Sequence, residues 1–139
     1  MKASTSRIKV ITAIYDFAAD STAGAVGIRS LATRFHNYIQ PLFFRTCTKT
    51  PPASAGGGAT LAFGYRLTNN TGGVANAFMP ATPELGFGGS NQLVSGIDFY
   101  NNPVQINTGG DFTMTVAGEA LTGGVIWATL VYIEFDIQS

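Results

Sequence analysis

The stretch PPASAGGGATLAFGYRL, residues 51–67, decides how this chain is read. Its glycine run, Gly56-Gly57-Gly58, is either a phosphate cradle or a turn. A phosphate loop needs a strand before it and a helix after it, so that free amides at the helix start meet the anion. These glycines lead instead into ATLAFGYRL, which alternates. Ala59, Leu61, Phe63, Tyr65 and Leu67 share one face; Thr60, Ala62, Gly64 and Arg66 share the other. That period belongs to a strand with one face on a core. No Gly-Lys-Ser/Thr comes after the glycines. The run is therefore a loop between a strand around Phe43–Cys47 and a strand at Ala59–Leu67, with Pro51 and Pro52 stiffening its entry.

The same pattern extends outward in both directions. DFTMTVAGE turns Phe112, Met114 and Val116 one way and Thr113 and Thr115 the other. The last segment, GGVIWATLVYIEFDIQS, is long and rich in β-branched and aromatic residues. Val125, Trp127, Val131, Ile133, Phe135 and Ile137 form one apolar face. The other starts apolar at Ile126 and Leu130 and turns acidic at Glu134 and Asp136, so the strand is expected to leave the body at an edge or rim. RIKVITAIYDFA, residues 7–18, is apolar on both faces and is expected in the body or at a contact between subunits. AVGIRSL, SGIDFY and PVQIN read as short strands, and HNYIQPLFFRTCTK as a strand whose Pro41 marks an edge or a bulge. SLATRFHNYI admits a helical turn or two. The span from Gly72 to Pro103 is the least patterned and is expected to hold long loops with one or two short strands. Turn clusters such as TNNTGG, GFGGSN and NTGG punctuate the whole chain, with no internal repeat and no linker. The reading is a single all-β domain over residues 1–139, an antiparallel β-sandwich.

Composition narrows the function. Lys+Arg and Asp+Glu are 8 each, so the net charge is zero, and nothing attracts nucleic acid or an anionic membrane to the chain as a whole. No segment approaches the roughly 20 apolar residues of a membrane helix, so no membrane insertion is expected. Charged residues are 12% of the chain, against roughly 25% for a typical soluble domain. With 45% hydrophobic residues, the surface is left to Gly, Ser, Thr, Asn and small apolar side chains. Such a surface with no net charge is poorly soluble unless other chains cover it, which points to assembly. Cys47 is the single cysteine, so no internal disulfide forms. The opening MKASTSRIKV lacks the apolar run of a signal peptide, and synthesis in a host cytoplasm is expected.

The residues that carry chemistry do not converge on a motif. His36 is the one histidine, and no second ligand motif accompanies it and Cys47. Cys47 lies among apolar residues and reads as a buried small hydrophobe. Glu134 and Asp136 share a face and could bind a cation, but two acids near a chain end more often form a solvated rim. Asp16 and Asp20 flank a turn without calcium-loop spacing. Asn69-Asn70-Thr71 is a sequon with no secretory signal before it. Phe35, Tyr38, Phe43, Phe44, Phe99 and Tyr100 could stack on a sugar, though such residues usually serve a core or a subunit interface. No nucleophile–base–acid set can be built, so no enzyme, catalytic residue, metal site or cofactor is expected.

Three features in this order resemble a group of small tailed-bacteriophage virion proteins. Tyr15-Asp16-Phe17, Gly24-Ala25 and Gly27 are similar to the group's opening. Ser54-Ala55-Gly56, Ala59-Thr60 and Gly64 are similar to its hairpin. Ala120-Leu121-Thr122-Gly123-Gly124 and the strand through Phe135 are similar to its ending. Ser21-Thr22, an extra glycine in the second motif and a looser middle depart from the pattern. The resemblance implies a jelly-roll-like sandwich located in a virion, with no catalytic residues. The expected function is that of a non-enzymatic capsid, capsid-associated or decoration protein. It would assemble as a homo-oligomer, for which a trimer is a natural form, and with other virion proteins. Ile8, Val10, Ile14, Tyr15, Phe17, Val125, Trp127, Val131, Ile133 and Phe135 are the candidate interface residues. The alternative is a receptor- or glycan-binding module of a virion appendage, using exposed aromatics such as Phe87 and Tyr100.

Overall fold

The alternation in ATLAFGYRL builds one of eight strands. The computed structural model describes residues 6–19, 24–35, 38–67, 73–98 and 110–135. The strands are β1 (Ser6–Asp16), β2 (Gly27–Phe35), β3 (Tyr38–Ser54), β4 (Thr60–Leu67), β5 (Gly73–Pro83), β6 (Gln92–Asp98), β7 (Gly110–Ala117) and β8 (Leu121–Phe135), with a 3-10 turn at Glu84–Phe87. They form two four-stranded sheets, β1-β8-β3-β6 and β2-β7-β4-β5. The strand pairings in both sheets are antiparallel. The result is an all-β antiparallel sandwich whose sheets do not close on each other.

The core is the sum of the inward faces. β4 and β7 contribute Leu61, Phe63, Phe112, Met114 and Val116, as their alternation predicts, and all are buried. Phe44 stands at the centre, 5.2 Å from Phe63, 6.0 Å from Phe112 and 6.2 Å from Phe78, ring to ring. Such pairs each add about 0.5–1.5 kcal/mol beyond the area they bury.

In β8 the inward face is the even one: Ile126, Ala128, Leu130 and Tyr132 are buried. The odd face of Val125, Trp127, Val131 and Ile133 looks out of the sandwich, although it is apolar as well. Burial follows the partner strands, not apolarity alone. Glu134 pairs with Lys9 at 3.1 Å with its side chain only 12% exposed, so it is not the solvated acid the sequence suggests.

Several local expectations are corrected. Pro41 interrupts the β3–β8 register between Pro41 and Phe43, so it marks a bulge, but in an interior strand and not an edge. Pro51 and Pro52 belong to β3 itself, which runs on to Ser54. The backbone of SLATRFHNYI is strand in its described parts, 30–35 and 38–39. The unpatterned middle contains the eleven-residue β5. His36, Asp20, the sequon, Phe99, Tyr100, PVQIN, Asp136 and Ile137 lie outside the described residues, as do the side chains of Phe35 and Tyr38.

Candidate subunit interface

The glycine run meets an anion after all, and it is the chain's own. The amides of Gly56 and Gly58 donate to one carboxylate oxygen of Glu119, at 3.0 and 3.1 Å. The nearby Ser54 hydroxyl, with the Gly58 and Gly56 amides, holds the Glu119 carboxyl below its usual range. Ser54 has one proton to give and points it at Glu84 at 2.7 Å, so the two glycine amides are the steadier cause. Glu84 is buried, and its amide donates to the Ala59 carbonyl at 3.0 Å. The cluster ties the β3–β4 loop to the β7–β8 turn and to the 3-10 turn. Its carboxylates and hydroxyl are bound to each other and to backbone amides, and the Gly56 and Gly58 amides that a phosphate would need are taken by Glu119. Among the described residues no three His, Cys, Asp or Glu side chains gather to hold a metal.

Other candidate groups are scattered. Cys47 is half-buried on the outer face of β3, opposite Trp127 in the register, and is not the core residue its neighbours implied. Asp16 closes its own turn by accepting the Ala18 amide at 2.9 Å. Phe87, expected at the surface in the sugar-binding alternative, is fully buried.

The dominant surface feature is apolar. Among the described residues nine large hydrophobic side chains are exposed; three of them, Ile8, Val10 and Ile14, alternate along one face of β1, and Ile28 of β2 lines a groove together with Ile14. Ile8, Val10 and Ile14 are 69%, 60% and 55% exposed. The outer face of the first sheet continues the patch through register. Ile8 lies opposite Ile133, Val10 opposite Val131, and Ile14 opposite Trp127. Val131 is next to Phe43 on β3, and Trp127 to Cys47. Two cations lie over the exposed rings, Arg45 at 5.0 Å from Phe43 and Lys49 at 5.1 Å from Trp127. The groove, of about 370 Å³, is lined by Ile14, Asp16, Ile28 and Arg29 among others.

Of the ten candidate interface residues, Ile8, Val10, Ile14, Val125, Trp127, Val131 and Ile133 share this outer face. Phe135 is half-buried at the end of the sheet. Tyr15 is corrected to the core: it is 2% exposed, because it is odd-numbered on β1 and so points opposite to Ile14. Phe17 packs partly buried against the core. Ile28, which lines the groove with Ile14, has no signal in the sequence, where AVGIRSL gives no sign of which face is covered.

Exposed apolar surface of this kind is typical of contact surfaces. No protein-family model and no curated protein matches the sequence. By fold, the chain is similar to components of two bacteriophage capsids. One is a chain of the acid-stable capsid structure of Helicobacter pylori bacteriophage KHP30, with a TM-score of 0.61 at 9% identity over 98% of this chain and 100% of that one. The other is a chain of the capsid of Ralstonia phage GP4, with a TM-score of 0.55 at 15% identity over 99% of this chain and 86% of that one.

Proposed function

We propose that this chain is a non-enzymatic structural protein of a bacteriophage virion, capsid-associated or of the decoration type, that assembles through the outer face of its first sheet. The observation that carries the reading is the fold likeness to chains of two phage capsids over almost the whole length of this one. The strand order supports a jelly roll: all but one of the connections, β4 to β5, cross between the sheets, as in paired Greek keys. The exposed apolar face supplies the means of assembly. Its mechanism is burial of surface: a standard interface covers about 1,600 Å² in total, and many copies multiply weak contacts.

The test is to quantify the chain in purified particles by mass spectrometry and to measure its native mass by light scattering. High copy number in particles and a stable oligomer, a trimer among the forms expected, support the reading. A soluble monomer absent from particles overturns it.

A further inference from the structure

We infer that the free edge of β1 is a self-pairing edge: a second copy of this chain adds its own β1 antiparallel to it, and two first sheets become one eight-stranded sheet. This names the partner of the interface proposed above and rests on the reading that the chain is built to assemble.

The ladder itself shows which groups are available. The Phe17 amide donates to the Gly124 carbonyl at 3.1 Å. From there the pairing with β8 runs without a shift from Asp16↔Val125 to Ser6↔Phe135. In an antiparallel pair, residues that bond across the ladder alternate with residues that do not. The odd residues of β1 therefore bond to β8. The backbone N–H and C=O groups of Ile8, Val10, Thr12, Ile14 and Asp16 face the free edge, where no described strand meets them.

Three of the four edge strands are blunted. β2 shifts register against β7 at two places, β5 shifts twice against β4, and β6 shifts once against β3. Bulges of this kind bend an edge away from further pairing. β1 has no shift over eleven residues, no proline and no charge on its outer face before Asp16. Its two cations, Arg7 and Lys9, lie on the inner side, where Lys9 pairs with Glu134.

The occupant that fits is a second β1, because among the described edges no other offers an unbroken strand to give. A two-fold axis through the sheet at Ile11 pairs all eleven residues with none left over. Ile8 then lies opposite Ile14, Val10 opposite Thr12, and Ser6 opposite Asp16. Arg7 meets Tyr15 and Lys9 meets Ala13, so no like charges are opposed. The exposed faces of the two copies become one apolar surface. The contact joins two copies, whether these are single subunits or members of two larger rings.

The experiment is a proline scan of β1 in the full chain. Val10→Pro removes an N–H aimed at the edge and spares the β8 ladder, the setting in which a strand tolerates proline. Val10→Lys puts a charge on the outer face of the same edge strand without touching the backbone. Ile11→Pro removes an N–H that β8 uses and serves as the folding control. The wild type is expected to have twice the native mass of Val10→Pro and of Val10→Lys, with circular dichroism unchanged. In the assembled wild type the amides of Ile8, Val10, Thr12 and Ile14 exchange slowly. If Val10→Pro does not fold, the exchange of those four amides decides. Wild-type mass in a folded Val10→Pro, or fast exchange of those four amides in the assembled protein, overturns the inference. The virion reading can stand in that event, if the chain is still found in particles. If the mass halves but particles lack the chain, the edge pairing stands and the virion reading falls.

Discussion

Glu119 closes the β3–β4 loop by accepting two glycine amides with one oxygen, so its charge state and its presence both act on that loop. Glu119→Ala is expected to speed amide exchange at Gly56 and Gly58 while leaving the core strands protected. The carboxyl is held below its usual range when folded, by the Ser54 hydroxyl and by the Gly58 and Gly56 amides. A group depressed in the folded state contributes stability above its unfolded pKa and loses it as pH falls through the folded value. The difference between wild type and Glu119→Ala is therefore full at neutral pH and shrinks in acid, below the ordinary carboxylate range. Exchange rates measured from neutral to acidic pH, corrected for intrinsic chemistry, check this; a difference that grows in acid contradicts it. Gly64 acts through space and not through charge. It is buried in β4, and a β-carbon there would run into the backbone of Val74 and Ala75. That approach exists because β5 carries extra residues between the Phe63↔Met79 and Tyr65↔Val74 pairs and folds them over Gly64. Gly64→Ala is expected to cost about 1–3 kcal/mol, the usual range for overpacking, as read from the midpoint of urea unfolding.

At the scale of the strand, β8 tests which face holds the sandwich together. Leu130 is fully buried, whereas Trp127 is 40% exposed on the opposite face. Leu130→Ala is expected to cost about 2–5 kcal/mol. Trp127→Ser should cost the isolated subunit about 1 kcal/mol, less than Leu130→Ala, through the lost ring contacts and the Lys49 stacking, yet lower the mass of any assembly that uses this face. Comparable losses of subunit stability in both variants would contradict the assignment of faces. The sequence of β8 shows an alternation but not its sign, since both faces are apolar and the choice depends on strands far away in the chain. Where one face is polar, as in β4 and β7, the inward residues are legible in the sequence. β5 is not legible because GVANAFMPATP has no clean period: its bulge puts Phe78 and Met79, neighbours in sequence, both into buried positions. Likewise Pro41 announces an irregularity, yet nothing near it tells that β3 is an interior strand, with β6 beside it from Phe43 to Thr48. The interface is legible as a list of apolar residues on β1 and β8. The odd member, Tyr15, is explained by parity once β8 fixes which face of β1 looks inward.

For the whole molecule, the first and last described strands are partners: β1 pairs with β8 along its full length, Ser6 opposite Phe135. The first sheet thus cannot be completed until the two ends of the chain meet, and β1 brings Ala13 and Tyr15 to the shared core when they do. Pairings this distant in sequence carry the loop-closure entropy before any contact offsets it, and all-β sandwiches accordingly refold in roughly milliseconds to seconds. A circular permutant shortens that closure, while it lengthens those of β3 with β6 and β4 with β7. Joining residue 139 to residue 1 and opening the chain at the exposed Ser90 makes β8 and β1 neighbours through a short connection, with residues 136–139 and 1–5 as the linker. The strands, their register and the core residues are unchanged, so equilibrium stability should change little. If closing the ends limits folding, the permutant refolds faster than the parent in stopped-flow fluorescence of Trp127, while its unfolding rate changes less. Equal refolding rates would place β1–β8 pairing after the barrier, and the nucleus would then lie in β4 with β5, the pair whose spacing the permutation leaves unchanged. The same permutant bears on assembly, because it leaves the outer edge of β1 as exposed as in the parent. An oligomer that persists in it shows that a free N-terminus is not what joins the copies.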